Sequence, residues 1–401
     1  MVMSVSCVTG SVLCALLAVQ LDGAAAAELD APLHKKSVPV PPDSAYIRYT
    51  GRVLDAPDGA AGVRFDTQGT KIELRVLIGP QHSAGPCRLH LRMAAMQPQQ
   101  GFEPDYFGLS VNGEMRNASW MSTFNTSASV NGTMHSYNLG TLRTGGATIS
   151  VVKLTEPQWN ARTPAPNYVT FGGFDLACDD VQTVHLPARR KRRIEFLGDS
   201  ITAGYCNLCD WDGFPKPQDM SSAESFERGW PHAICTALDA ECHINAWSGY
   251  GMVMNCCGGT TVMPTVYRRT LATVPGSEGD WNWASWVPDA VVINLGTNDG
   301  LGHRPYLLPN YTAAYAQLAA NITGYYGVAT KIFMACGPMD SAYCAVAQAL
   351  AANLTNGVFL DQRNFLNGTF GQSCCGHPGT TVDAAMGKAG AAAIGEVLRW
   401  R

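Results

Sequence analysis

Between residues 45 and 187, hydrophobic and polar positions alternate with a period of two. In the segment 71–78, apolar residues occupy every second position and charged residues fill most positions between them. Similar alternation or short apolar runs recur at 88–93, 106–111, 149–154 and 168–174. This pattern predicts half-buried strands, and the pair Asn112-Gly113 predicts a tight hairpin turn. Because helical spacing is nearly absent, residues 45–187 are expected to form a β-sandwich domain.

From residue 193 onward, short and continuously apolar segments are separated by stretches long enough for helices. The apolar segments are 194–197, 243–247, 290–295, 331–335 and 358–360. An alanine-rich helix is predicted at 384–398. Continuous apolar strands that alternate with helices indicate a parallel sheet covered on both faces. Residues 188–401 are therefore expected to form a three-layer α/β domain.

The N-terminal residues 1–27 have the pattern of an export signal. Residues 11–20 are mostly apolar, and Ala24–Ala27 provides small residues for cleavage. The apolar run is too short for a transmembrane helix, which needs about 20 residues. Residues 28–44, which are polar and contain proline, are expected to be a linker. We therefore expect a secreted protein without a membrane anchor.

Composition and charge narrow the range of partners. The chain of 401 residues is 46% hydrophobic and carries a formal net charge of −4. This balance provides no positive surface for nucleic acid or for an anionic membrane. Possible glycosylation sites of the form Asn-x-Ser/Thr support a secreted glycoprotein. They begin at Asn117, Asn125, Asn131, Asn310, Asn321, Asn353 and Asn367.

The cysteines favour disulfides over a metal site. Cys206-x-x-Cys209 lacks a second pair of the same spacing, because Cys256-Cys257 and Cys374-Cys375 are adjacent residues. Disulfides are the usual state of cysteines in secreted proteins, so no metal is expected. Cys7 and Cys14 would leave with the signal peptide. Pairing of the remainder cannot be deduced from spacing, except that Cys87 and Cys178 are then the only candidates in the N-terminal half.

A basic run, Arg189–Arg193, lies at the junction of the two predicted domains. It has two interpretations, a processing-protease site and a solvated linker into the first strand of the α/β domain. The second is favoured because runs of charge are usually solvated.

Polar motifs follow four of the predicted parallel strands. They are Gly198-Asp199-Ser200, Ser248-Gly249-Tyr250-Gly251, Gly296-Thr297-Asn298-Asp299 and Gly376-His377-Pro378. In doubly wound sheets, the loops beyond the carboxyl ends of the strands form the ligand site. We therefore expect these four motifs to lie close together.

The residue types in these motifs suit acyl transfer. Ser200 is the expected nucleophile and His377 the expected general base. The backbone N–H groups of Ser200 and Gly249 and the amide of Asn298 are expected to form the oxyanion hole. Asp199 and Asp299 are expected to support the loops. Each motif alone has an ordinary structural explanation, such as a helix cap or a turn.

The motifs around Ser200 and Asn298 resemble those of the SGNH or GDSL hydrolases. The segments that carry the resemblance are 194–204 and 292–299, and the four family residues fall on Ser200, Gly249, Asn298 and His377. The resemblance implies a flavodoxin-like α/β/α fold. The wider layout, over roughly residues 46–398, resembles carbohydrate esterase family 2. That resemblance implies an N-terminal jelly-roll sandwich and removal of O-acetyl groups from plant polysaccharides.

One position departs from the common SGNH pattern. Many SGNH enzymes carry an aspartate three residues before the histidine, and here that position is Cys374. Some members of the resembled esterase family use a Ser-His dyad in which a backbone carbonyl orients the imidazole, and we expect that arrangement here. Asp361 and Asp383 are weaker candidates for the missing carboxylate, because neither has the family spacing.

The sequence thus predicts a secreted carbohydrate O-acetylesterase that needs no metal or organic cofactor. Two alternatives remain open. The acetyl group could pass to a sugar hydroxyl instead of water, or the protein could bind carbohydrate without catalysis on the same fold. The sequence does not indicate the polysaccharide, the acetyl position or the oligomeric state.

Overall fold

The structure is a computed structural model that describes most of the chain from residue 37 onward. The described residues are 37–56, 62–80, 86–96, 103–116, 124–128, 132–157, 166–178, 180–183, 186, 189–209, 220–277, 279, 281–366 and 371–400. The predicted signal peptide, 1–27, lies outside them.

The N-terminal part consists of strands. They are β1 (Ser37–Val40), β2 (Ile47–Thr50), β3 (Leu54–Asp55), β4 (Val63–Phe65), β5 (Lys71–Ile78), β6 (Cys87–Ala95), β7 (Tyr106–Val111), β8 (Glu114–Met115), β9 (Phe124–Asn125), β10 (His135–Leu142), β11 (Gly145–Lys153), β12 (Val169–Ala177) and β13 (Val181–Thr183). One antiparallel sheet has the order β10-β6-β12-β4-β3, with β1 paired to β12. The other has the order β13-β5-β11-β7-β8, with β2 on β5 and β9 on β7. The apolar faces of both sheets contribute to one core. The predicted β-sandwich is confirmed.

The structure has the hairpin turn that the sequence predicts, but the predicted boundary between the linker and the sandwich is different. Asn112 and Gly113 both have positive φ values, 55° and 80°, as a two-residue hairpin turn between β7 and β8 requires. By contrast, part of the segment expected to be linker, Ser37–Val40, is strand β1. It contains Pro39 and pairs with one neighbour only, so it is an edge strand of the kind that tolerates proline.

The C-terminal part alternates strands and helices. Its strands are β14 (Arg192–Gly198), β15 (Ala240–Ala246), β16 (Ala290–Asn294), β17 (Lys331–Cys336) and β18 (Gly357–Asp361). Its helices are α1 (Ser200–Ala203), α2 (Trp230–Ala237), α3 (Met263–Val266), α4 (Leu308–Tyr326), α5 (Cys344–Asn353) and α6 (Thr380–Leu398). The sheet is parallel with the order β15-β14-β16-β17-β18. This order is the flavodoxin-like arrangement 2-1-3-4-5, so the predicted α/β/α fold is confirmed.

Helices cover both faces of the parallel sheet. On β16, Val291 and Ile293 belong to the core that contains α4 and α5. Val292, between them, belongs to the core that contains α2 and α6. Because neither face meets water, every position of the strand is buried, which explains the continuous apolar run in the sequence.

The sandwich and the α/β domain share buried polar contacts. Arg52 extends from the sandwich into the α/β domain, where its guanidinium forms an ion pair with Glu195 of β14 at 3.0 Å. Both side chains are almost fully buried. Glu195 also accepts hydrogen bonds from Asn245 at 2.8 Å and from the Tyr267 hydroxyl at 2.6 Å. The described residues group as one compact unit.

The basic run at the junction is packed against the α/β domain. Arg189 pairs with Glu241 at 2.7 Å, and Arg190 pairs with Asp239 at 3.0 Å. Arg192 begins β14 and donates to the Leu238 carbonyl at 2.8 Å. Arg189, Arg190 and Lys191 are exposed and the run continues into β14, as the solvated-linker interpretation predicts, although two of these arginines also contact the edge of the domain.

The cysteines of the described residues form disulfides. The pairs are Cys87–Cys178, Cys206–Cys375, Cys209–Cys374, Cys235–Cys242, Cys256–Cys257 and Cys336–Cys344. The prediction of disulfides is confirmed, and Cys87 of β6 pairs with Cys178, which directly follows the neighbouring strand β12 of the same sheet. Within the described residues, none of the helices has both the length and the apolar character needed to cross a membrane.

Candidate active site

Ser200 lies where β14 ends and α1 begins. Asp199 caps this short helix, because its carboxylate accepts a hydrogen bond from the Ile201 N–H at 3.0 Å. A side chain at Gly198 would collide with the Thr202 hydroxyl, which lies 2.0 Å from the position of an added Cβ. Gly198 is therefore required by a close approach of the following helix. Its φ is not positive, so the glycine is needed for space and not for a left-handed backbone.

His377 lies beside Ser200, although 177 positions separate them in the chain. Its Nε2 is 2.8 Å from the Ser200 Oγ. Its Nδ1 is 3.3 Å from the backbone carbonyl oxygen of Cys375. A carbonyl can only accept, so Nδ1 carries the proton and Nε2 is left to accept from the serine hydroxyl. Burial lowers the pKa of His377, and the Cys375 carbonyl partly opposes this shift.

Two disulfides hold the loop that carries His377. Cys206 and Cys209 follow α1, and they bond to Cys375 and Cys374 respectively. The Cys374 N–H also donates to the Cys209 carbonyl at 2.6 Å. The four sulfur atoms lie within 4.8 Å of one another, a spacing that thiolates could use to hold a metal. Their pairing as disulfides assigns them instead to joining the histidine loop to the serine helix.

The two candidate carboxylates are engaged elsewhere. Asp361 is exposed and pairs with Arg363, whose Nε lies 2.9 Å from it. Asp383 is buried and accepts from the Asn207 amide at 3.1 Å, and burial raises its pKa well above the usual value. Neither carboxylate is hydrogen-bonded to His377, whose Nδ1 contacts the Cys375 carbonyl.

The loop after β15 presents Gly249. Its φ of 81° falls in a region that favours glycine. On one side of it, the Trp247 N–H donates to the Gly198 carbonyl at 3.2 Å. The Gly249 carbonyl itself accepts from the Cys256 N–H at 3.0 Å. The backbone N–H groups of Gly249 and Ser200 have no acceptor among the described residues, so both are free to bind an anion.

Asn298 connects the two segments that carry these N–H groups. Its amide nitrogen lies 2.8 Å from the Tyr250 carbonyl oxygen and 3.3 Å from an Asp199 carboxylate oxygen. Tyr250 follows Gly249 and Asp199 precedes Ser200, so the amide contacts a residue adjacent to each predicted oxyanion donor. Burial raises the pKa of Asp199 to about 7, and the negative charges of Asp299 and Glu156 add to the shift.

Asp299 organises the loop after Gly249. Its carboxylate accepts hydrogen bonds from the backbone N–H groups of Met252, Val253 and Met254, at 2.9, 2.7 and 3.0 Å. Three converging N–H groups fix the path of this loop. Burial raises the pKa of this carboxyl group, and the three N–H groups oppose that shift.

One residue at the site was missed by the sequence analysis. Glu156, just beyond β11 of the sandwich, accepts a hydrogen bond from the Ser248 N–H, next to Gly249. It is buried. No motif marks this residue, because the contact joins two domains and spans 92 positions of the chain.

Comparison with known proteins supports the resemblance to the SGNH hydrolases. Residues 196–379 match the model of the GDSL-like Lipase/Acylhydrolase family. This range includes Ser200, Gly249, Asn298 and His377. The resemblance inferred from the motifs is therefore confirmed for this part of the chain.

Two curated relatives match the chain over part of their length. The cellulase/esterase CelE of Acetivibrio thermocellus is 33% identical over 182 residues, which are 45% of this chain and 21% of the relative. An acetylxylan esterase / glucomannan deacetylase of Cellvibrio japonicus is 30% identical over 163 residues, which are 41% of this chain and 42% of the relative. The chain thus spans less than half the length of these relatives.

Solved structures extend the similarity to the sandwich. A family two carbohydrate esterase from Clostridium thermocellum, in complex with cellohexaose, has a TM-score of 0.71 and 24% identity and covers 88% of this chain and all of the other. The acetyl xylan esterase Est2A from the rumen bacterium Butyrivibrio proteoclasticus has a TM-score of 0.73 and 16% identity, with coverage of 91% and 100%. At these identities the similarity establishes the fold alone.

Proposed function

We propose that this chain, whose residues 196–379 match the GDSL-like lipase/acylhydrolase family, is a serine esterase that removes O-acetyl groups from carbohydrate. One observation carries the proposal. The Ser200 Oγ and the His377 Nε2 are 2.8 Å apart at the start of a helix, with the tautomer of the imidazole set by the Cys375 carbonyl. A hydroxyl held against a neutral imidazole is an activated nucleophile.

The first step forms the acetyl-enzyme. The Ser200 oxygen attacks the ester carbonyl carbon while the His377 Nε2 takes the hydroxyl proton. The carbonyl oxygen of the ester becomes an oxyanion in the tetrahedral intermediate. When this intermediate collapses, the bond to the sugar oxygen breaks, and Nε2 returns the proton to that leaving oxygen. Water then repeats the sequence on the acetyl-enzyme and releases acetate.

Three donors stabilise the oxyanion in this mechanism. They are the N–H groups of Ser200 and Gly249 and the amide of Asn298. The amide nitrogen is shared with Asp199 at 3.3 Å, which is long for a hydrogen bond, so the oxyanion can take over that donor. Donors that are fixed before the reaction stabilise the transition state without reorganisation.

The absence of an aspartate beside His377 has a consequence for the mechanism. A neutral carbonyl orients the ring but stabilises the imidazolium less than a carboxylate would. The oxyanion donors therefore supply more of the stabilisation of the charge-separated transition state than in a triad enzyme.

The substrate class is proposed from the relatives. Both curated relatives have names that include esterase or deacetylase activity, and one name specifies acetylxylan and glucomannan. We extend this to acetylated polysaccharide as the substrate of the present chain.

Secretion and glycosylation are part of the proposal. Twelve cysteines in disulfides fit an oxidising compartment. Among the described glycosylation sites, Asn310 and Asn353 are exposed on α4 and α5, while Asn125 and Asn321 are half-buried. Asn117, Asn131 and Asn367 lie outside the described residues. The mass of the protein before and after treatment with an N-glycosidase tests this part: a decrease in mass supports glycosylation, and an unchanged mass contradicts it.

Acetate release from acetylated xylan, acetylated glucomannan and an aryl acetate tests the function. Ser200→Ala and His377→Ala should each lower kcat by roughly 10³-fold or more on the aryl acetate. Ser341→Ala, which changes an exposed serine, is the matched control and should keep full activity. Ser200→Ala with undiminished turnover would exclude the mechanism. An acetylated sugar product formed with excess acceptor would favour transfer over hydrolysis, and binding without any turnover would favour the non-catalytic alternative.

A further inference from the structure

A carboxylate of the sandwich reaches the loop that carries Gly249. Glu156 is buried, and its Oε2 accepts a hydrogen bond from the Ser248 N–H. The next backbone N–H along the chain belongs to Gly249, the proposed oxyanion donor. A hydrogen bond at Ser248 therefore acts on the peptide unit directly before that donor.

The loop around Gly249 is fixed at three successive residues. The Trp247 N–H donates to the Gly198 carbonyl, the Ser248 N–H to Glu156, and the Gly249 carbonyl accepts from the Cys256 N–H. Of these three contacts, only the one from Glu156 comes from the sandwich domain. The other two fix the ends of this short stretch, and Glu156 fixes its middle.

Glu156 is itself held in place. Its backbone N–H donates to a Glu224 carboxyl oxygen at 2.6 Å. The buried Lys153 ammonium donates to the Glu156 carbonyl at 2.9 Å and forms an ion pair with Asp105 at 2.7 Å. Because these contacts fix its backbone and its side chain is buried, Glu156 can hold another group within the small tolerance that catalysis requires.

We propose that Glu156 is a positioning residue for the oxyanion hole: by accepting from the Ser248 N–H, it aims the Gly249 N–H at the developing oxyanion. This inference rests on the proposed function. It also assigns the sandwich a part in the reaction, because that domain supplies the residue.

The hydrogen bond does not depend on the charge of Glu156. Burial raises the pKa of Glu156 to about 7, against the lowering effects of its hydrogen bonds from Ser248 and of the Lys153 charge. A carboxyl group can accept through its carbonyl oxygen in either protonation state. Glutamine, whose side chain has the same length and a carbonyl acceptor, should therefore replace Glu156 with little loss.

Asp66 provides a matched control. It too is a buried carboxylate of the sandwich that accepts from backbone N–H groups of the α/β domain, those of Ala272 and Thr273, at 3.0 and 2.8 Å. It does not contact the loop that carries Gly249. A substitution at Asp66 therefore disturbs the domain contact without acting on the proposed oxyanion donor.

The experiment compares Glu156→Met, Glu156→Asp, Glu156→Gln and Asp66→Ala in the full chain. Steady-state kinetics on an aryl acetate and the inhibition constant of a boronic acid, which forms a tetrahedral adduct with the serine, are measured beside the unfolding temperature. Methionine replaces the carboxyl oxygens with a thioether, which is only a weak acceptor, and aspartate is one methylene too short. Glu156→Met and Glu156→Asp should each lower kcat by about 10-fold or more and change KM by less than about threefold. The inhibition constant of the boronic acid should rise in parallel with the loss of kcat.

Rescue and control decide the interpretation. Glu156→Gln should keep kcat within about threefold of the wild type, and Asp66→Ala should lower the unfolding temperature but not kcat. A folded Glu156→Met or Glu156→Asp variant with unchanged kcat would overturn the proposal. Failure of both to fold, while Asp66→Ala folds, would also count against it, because Glu156 would then serve the fold. Inactivity of the wild type on every ester would instead refute the proposed function.

Discussion

The two disulfides beside His377 stabilise the fold by an amount that can be calculated from the lengths of the loops they close. Cys206–Cys375 and Cys209–Cys374 join the same two segments, with sequence separations of 169 and 165 residues. In the chain-entropy model, one bridge that closes a loop of about 165 residues stabilises the fold by about 5 kcal/mol. The second bridge then closes a loop of only about six residues and adds about 2 kcal/mol.

Removing one bridge should therefore cost much less than removing both. Cys209→Ala with Cys374→Ala should lower the free energy of unfolding by about 2 kcal/mol. Its kcat should stay near that of the wild type, because Cys375, whose carbonyl orients His377, remains bonded to Cys206. Removing all four cysteines should cost about 7 kcal/mol. It should also lower kcat by about 10²-fold at low temperature, because the imidazole is no longer held against Ser200.

Urea unfolding and kinetics on an aryl acetate measure both effects. The Cys87–Cys178 bridge in the sandwich is the control, since its separation of 91 residues predicts a loss of about 4–5 kcal/mol on removal. That loss should leave kcat of the folded fraction unchanged. The reasoning is refuted if the variant without all four cysteines folds and retains wild-type kcat, or if one bridge costs as much as two.

Three further predictions concern the site and the domain contact. Asn298→Ala should lower kcat by about 10²–10³-fold with little change in KM. If kcat/KM fell by the same factor through a rise in KM alone, the amide would be excluded as an oxyanion donor. Because burial lowers the pKa of His377, the neutral imidazole persists into mild acid, so kcat/KM should rise with pH with an apparent pKa below the usual value of about 6.5. A midpoint above pH 7 would contradict this assignment. Arg52→Met should cost about 3–5 kcal/mol in urea unfolding, because it leaves the buried Glu195 without its ion pair. A loss below about 1 kcal/mol would show that the pair contributes little.

Strands could be predicted from the sequence wherever the alternation of apolar and polar residues, or a run of apolar residues, continued without interruption. The alternating segment 71–78 became β5, and the apolar run at 290–295 became β16. β10 was missed because its register shifts between Asn138 and Thr141, and such a bulge breaks the period of two. β1 was missed because four residues at a sheet edge are too few for a pattern to emerge.

The proximity of Ser200 and His377 could also be predicted, because the carboxyl ends of parallel strands meet at one edge. The sequence left several alternatives for the group that accepts a hydrogen bond from the His377 Nδ1. Choosing between the Cys375 carbonyl and a carboxylate such as Asp383 requires the path of the loop, and the disulfide pairing sets that path. Sequence spacing contains no information about either.

The sandwich contacts three parts of the α/β domain that the proposed mechanism uses. Arg52 neutralises Glu195 on β14, the strand that leads to Ser200. Gln68 donates to the carbonyl of Ala203, the last residue of the helix that Ser200 begins, at 2.8 Å. Glu156 accepts from Ser248, beside Gly249. The strand that leads to Ser200, the helix that Ser200 begins and the loop of the proposed oxyanion donor Gly249 thus each contact a buried polar group from the other domain. Buried polar groups left unpaired cost much more than the pairs contribute, so changes in the sandwich should act on the site through these three contacts.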